Sequence, residues 1–142
     1  VDVAASHGTA VSQSLVVRGS AFADIDGDGD LDVLLAENDG PVHLLRNDGG
    51  NKNHWLRVRT IGTQSNRDGI GAKVLVEAKG VKQTRWVKTS VSFLSSSELP
   101  VTFGLGQATT ADRVTVTWPS GRVTTLNGVK ADQVVTCRED AK

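Results

Sequence analysis

Five aspartates stand on alternate positions in the stretch Phe-Ala-Asp-Ile-Asp-Gly-Asp-Gly-Asp-Leu-Asp-Val-Leu-Leu, from Phe22 to Leu35: Asp24, Asp26, Asp28, Asp30 and Asp32. Like charges at this density repel one another, and a folded loop needs a cation to offset them. With Asp24 at position 1, positions 3, 5 and 9 are Asp26, Asp28 and Asp32. Gly29 falls at position 6, where a sharp bend calls for a residue without Cβ. Asp30, at position 7, is expected to offer its backbone carbonyl while its side chain turns away. Calcium takes roughly six to eight oxygens in a flexible shell, and this spacing wraps oxygens round one point. Magnesium holds its waters and demands stricter geometry, so Ca2+ is the expected cofactor.

Three rival readings compete. An EF-hand needs a bidentate acid at position 12, which is Leu35; moving the frame to Asp26 supplies Glu37 there but puts Leu31 where the glycine belongs. The expected unit is therefore strand–loop–strand. A phosphatase of the haloacid dehalogenase type begins with Asp-x-Asp-Gly after a strand, which Asp24 to Gly27 imitates. That chemistry also needs a parallel sheet with helices and a downstream lysine, and no helical runs are visible. The third reading is a solvated acidic turn that binds nothing.

The elements that hold this loop are expected to be strands. Ala21 to Ala23 enters it and Val33 to Ala36 leaves it; Asn38, Asp39 and Gly40 then turn the chain into Val42 to Arg46. Residues 1–20 read as a frayed start with one apolar patch at Leu15 to Val17. Asn47 to Asn51 is the expected boundary, dividing the chain into 1–50 and 51–142. Beyond it, period-two runs appear at Trp55 to Thr60, Ala72 to Ala78, Val81 to Thr89, Val101 to Leu105, Arg113 to Trp118, Arg122 to Leu126 and Gln133 to Cys137. The charged run at 81–89 suits an edge strand. Ala131 to Gln133 offers at most one turn of helix, and Ser95 to Glu98 reads as a loop. The fold class is all-β: an antiparallel β-sandwich preceded by a single blade-like sheet with a calcium loop.

Composition narrows the function. The 142 residues carry 16 basic and 16 acidic side chains, a balance that argues against nucleic-acid binding. No apolar run reaches the ~20 residues of a membrane span. The first residue is Val1 and methionine is absent, so a missing leader says nothing about compartment. Cys137 is alone and sits in an apolar alternating run, as a buried small hydrophobe would. His7, His43 and His54 lack zinc-ligand spacing. Arg67, Asp68 and Gly69 form a polar loop, read either as a ligand site or as a turn in which Asp68 bonds its own backbone and Arg67 pairs locally. Trp55, Trp86 and Trp118 are core residues or a sugar-stacking platform. Trp118 borders an apolar face, whereas Trp86 shares its face with Lys82, Thr84 and Lys88 and is the candidate for exposure.

The run Phe22 to Val33, with the turns Asn38 to Gly40 and Leu45 to Gly49, resembles an FG-GAP/VCBS repeat, a blade of integrin-type β-propellers whose Asp loop holds calcium. Residues 53–139 resemble the ASPIC/UnbV domain found C-terminal to such repeats in secreted proteins. The likeness rests on Asn-His-Trp-Leu-Arg-Val at 53–58, Ser-Asn-Arg-Asp-Gly-Ile-Gly-Ala at 65–72, Phe-Gly-Leu-Gly at 103–106, Val-Thr-Trp-Pro-Ser-Gly at 116–121, and 131–133. The resemblance implies a non-catalytic, calcium-binding structural or adhesion module, extracellular, on the cell surface or periplasmic. Its ligands would be Asp24, Asp26, Asp28, Asp32 and the Asp30 carbonyl, and its partner a protein or glycan. The alternative function is a carbohydrate-binding module using exposed aromatics. A lone blade leaves sheet faces uncovered. It belongs to a longer propeller, packs on the sandwich, or pairs through its unpaired edges with a second copy.

Overall fold

The computed structural model describes residues 8–140; of the expected frayed start at 1–20, residues 1–7, with His7, lie outside them. The chain is built from strands: β1 (Val17–Ala23), β2 (Asp32–Glu37), β3 (Val42–Leu45), β4 (His54–Ile61), β5 (Lys73–Ala78), β6 (Val81–Trp86), β7 (Ser90–Ser92), β8 (Ser95–Ser96), β9 (Val101–Gly106), β10 (Thr110–Thr117), β11 (Val123–Lys130) and β12 (Gln133–Arg138). Helix among the described residues is limited to two short 3₁₀ turns, Thr9–Ser12 and Gly50–Lys52. A helix-flanked phosphatase scaffold is therefore absent from them.

The strands β1-β2-β3 form an antiparallel sheet, the blade, and the Asp loop joins its first two strands. The sandwich pairs the sheet β11-β10-β5-β6 with the sheet β12-β4-β9. Period-two alternation drives its closure. Val74 and Val76 on β5 stand opposite Val116 and Val114 on β10, and Leu56 and Val58 on β4 stand opposite Phe103 and Val101 on β9. All eight are buried in one core with Trp118 and Cys137. Burial pushes the Cys137 thiol up to about 11, which suits an inert packing group.

Several elements differ from expectation. The strand before the loop begins at Val17, earlier than Ala21, because β2 is long enough to pair with it past an irregularity at Val17/Gly19. The loop expected at 95–98 belongs partly to a small hairpin, β7-β8, that packs on β1: Phe22 N–H donates to Ser97 Oγ and Glu98 N–H to the Phe22 carbonyl. The sandwich is not wholly antiparallel, since β12 runs parallel to β4. Parallel neighbours need a long crossover, and here the whole four-stranded sheet supplies it. The helical turn sketched at 131–133 is instead a tight bend with Asp132 at φ 58°. Asp132 N–H donates to the Trp55 carbonyl at 2.7 Å, while its carboxylate accepts Trp55 N–H at 3.1 Å and bonds His54 Nδ1 at 2.7 Å. In the 65–69 loop the turn is made by Asn66, whose Oδ1 accepts Asp68 N–H at 2.9 Å, and not by Asp68's side chain.

The far end of the sandwich is closed by Glu139, which is fully buried. Its Oε2 accepts the N–H groups of Thr63, Gln64 and Ser65 at 2.8–2.9 Å, and its Oε1 accepts the hydroxyls of Ser65 and Ser120. Burial by itself would raise the Glu139 pKa; donation from Ser120 and the three amides outweighs it and holds the carboxyl below the usual range. A group lowered in this way contributes stability above its unfolded pKa, and that contribution fades as the pH falls through the folded value. Glu139→Gln should therefore lower the thermal midpoint at pH 7. The gap to wild type should begin to shrink below about pH 4.3 and close only in stronger acid. A gap that stays constant from pH 7 to strong acid in a thermal-melt series would refute the charge-assisted role.

Candidate metal centre and its anchor

The Asp loop folds as its glycines dictate. Gly27 and Gly29 take φ of 78° and 99°, the left-handed region that side chains with Cβ avoid. The Gly29 backbone lies against the Trp55 indole, where a Cβ would come within 2.0–2.3 Å of ring atoms. The bend is thus fixed both by φ and by close approach to β4.

Within this bend the structure brings Asp24, Asp26 and Asp28 together, with one oxygen of each lying within 4.8 Å of the others. Oxygens bound to one calcium at ~2.3–2.6 Å can be separated by up to about 5 Å, so the three carboxylates fit a shared calcium ion. The donors are hard carboxylate oxygens, which exclude a preference for soft thiolate-binding metals. Asp24 also orders the loop: Oδ1 accepts Gly27 N–H at 2.7 Å and Oδ2 accepts Gly29 N–H at 3.2 Å.

The other two aspartates are placed differently. The Asp30 carboxylate is buried and accepts Gly50 N–H at 2.8 Å, tying the loop to the segment that leads into β4. Asp32, 1% exposed, accepts Ile25 N–H and Asn47 N–H, each at 2.9 Å, and so ties the chain leaving β1 to the chain leaving β3 at one end of the blade. Donation from Asn47 and then Ile25 keeps the Asp32 carboxyl below its ordinary range despite burial.

Sequence reasoning missed the group that anchors this loop. Arg57 on β4 is 7% exposed, and its guanidinium bridges Asp24 through Nη1 and Glu98 through Nη2. Its neighbours Leu56 and Val58 face the sandwich core, so alternation puts Arg57 on the opposite side, where a lone sandwich would leave it in solvent. The blade covers that side. An arginine inside an otherwise apolar stretch at Trp55 to Val58 was the available signal, and its meaning depends on knowing what lies above the strand. The tryptophans divide: Trp118 is buried, with Nε1 donating to Thr124 Oγ1 at 2.8 Å; Trp55 is half-buried against the loop; Trp86 is 58% exposed.

A strand–loop–strand carboxylate site on a small antiparallel sheet, docked on a β-sandwich, defines a two-part all-β module. Residues 24–75 match the FG-GAP-like repeat, and residues 62–142 match the ASPIC and UnbV family, to which the chain belongs. Cartilage acidic protein 1 of Homo sapiens is 34% identical over 113 residues, covering 77% of this chain and 17% of the relative. The protein of the same name from Xenopus tropicalis is 35% identical over 111 residues, covering 75% and 17%. The chain thus spans about a sixth of the length of these relatives.

Removing Arg57 would leave the buried Asp24 carboxylate and the half-buried Glu98 carboxylate without their counter-charge, and breaking a buried pair from one side costs about 3–5 kcal/mol. Arg57→Ala is therefore expected to lose about that much in denaturant unfolding. Arg57→Lys, which keeps the charge but not the two-pronged reach, should lose less. Two variants with wild-type midpoints would show that the triad does not hold the blade.

Proposed function

We propose that the chain is a non-catalytic, calcium-binding structural module of an extracellular or cell-surface protein, with an adhesive role toward a protein or glycan partner. The observation that carries this reading is the convergence of Asp24, Asp26 and Asp28 in a bend held open by two glycines. The match to the FG-GAP-like repeat supports it, as does the likeness to proteins named for cartilage. The remaining acids of the loop serve the backbone, Asp30 toward Gly50 and Asp32 toward Ile25 and Asn47, which is the arrangement of a scaffold. No helix among the described residues is long and apolar enough to cross a membrane.

A cation bound to the native loop alone stabilises it by mass action, by about 2.7 kcal/mol at a hundredfold excess over the dissociation constant. Calcium should raise the thermal midpoint, chelation should lower it, and magnesium should restore little. Amide exchange should accelerate first at residues 21–50 when calcium is withdrawn. Asp26→Asn should abolish the calcium response while leaving the Arg57 triad intact. A melting curve and exchange pattern indifferent to calcium and chelator would retire the proposal.

A further inference from the structure

Strands β6 and β9 each form one edge of their sandwich sheet, and residues of both line a groove shared with the blade. Between them lies an open groove of about 610 Å³. Phe22 and Leu31 of the blade line one wall, and Arg85, Trp86 and Lys88 line the other. Trp86 is exposed at the rim and stands directly opposite Lys73 in the β5–β6 register.

The charges here are one-sided. Arg85 and Lys88 form no ion pair among the described residues, whereas the acid in the lining, Glu98, is held by Arg57. Arg85 lies 5.5 Å from the Phe103 ring centroid, a cation–π contact that steadies the guanidinium. A chain with no net charge therefore sets two cations without carboxylate partners in the lining of a groove that also carries an exposed indole. An apolar peptide would have to desolvate those cations without a counter-charge. A nucleic-acid strand prefers a succession of stacking aromatics and a broad basic surface, and this groove offers one indole at its rim. An acidic saccharide matches both features, since a pyranose ring presents C–H groups to an aromatic face and its acid groups reach the cations.

We propose that this groove binds an acidic polysaccharide, with Trp86 stacking on a sugar ring and Arg85 and Lys88 of the lining meeting its carboxylate or sulfate groups. The site uses none of the Asp-loop carboxylates, so it stands or falls separately from the calcium reading.

Isothermal titration of the intact chain at low salt, with calcium present throughout, tests it against dextran sulfate, polygalacturonate, neutral dextran and oligothymidylate. The expected result is binding of an acidic saccharide that weakens with added salt, with neutral dextran bound far less. Binding of only one acidic polymer identifies sulfate or carboxylate as the recognised group. Trp86→Ala and Lys88→Gln should each weaken binding by about tenfold while the thermal midpoint holds, because both side chains are exposed. The proposal is overturned if neither acidic polymer binds, if neutral dextran or oligothymidylate binds as tightly, or if Trp86→Ala binds with full affinity.

Discussion

The guanidinium of Arg57, buried between the carboxylates of Asp24 and Glu98, is the contact on which the rest of the structure depends. A charge taken out of water is costly unless paired, so each member of this triad requires the others. Asp24 opens the acidic loop, Glu98 follows the small hairpin that packs on β1, and Arg57 rises from the middle strand of the β12-β4-β9 sheet. One side chain therefore fixes three pieces of chain distant in sequence. A three-stranded blade by itself would be marginal. Pinned through Arg57 and pressed against Trp55 at Gly29, it becomes part of the same body as the sandwich.

Carboxylates do much of the mechanical work elsewhere as well. Asp32 accepts amides from the chain leaving both outer strands of the blade, and Glu139 accepts three consecutive amides at the opposite pole of the sandwich. Asp132 does the same at the bend between β11 and β12. In each case an ionised oxygen satisfies backbone N–H groups that no sheet ladder reaches, and charge assistance makes those bonds stronger than neutral ones. The acidic side chains thus fall into two groups. Asp24, Asp26 and Asp28 converge on one point, while Asp30, Asp32 and Glu139 hold the chain around them. Asp24 belongs to both groups, so the carboxylate that anchors the blade is also one wall of the cation-sized cluster.

The bend at Gly29 was legible before the structure because glycine and aspartate are read locally. A positive φ at Gly29 follows from the need to bend, and alternating acids in a tight turn can only converge or fly apart. The core was legible for the same reason, since period-two runs such as Val74–Val76 and Val114–Val116 declare their inward face. The exposure of Trp86 followed from its charged neighbours. The parallel pairing of β12 with β4 was hidden, because nothing within Gln133 to Arg138 records which strand it will meet.

By itself, then, the sequence determined the all-β class, the acidic bend, the inward faces of the sandwich strands and the likeness to two known families. All of these are set by short-range chemistry, by backbone preferences and by alternation within a strand. Only the tertiary structure decided what Asp24, Asp30, Asp32, Arg57 and Glu139 each bind, and which edges remain open round Trp86. Those outcomes depend on which segments cover one another: Arg57 would be a solvated side chain on an isolated sandwich and is a buried counter-ion beneath the blade. Electrostatic partners are chosen by proximity in space, and proximity between residues 24, 57 and 98 is a property of the assembled fold.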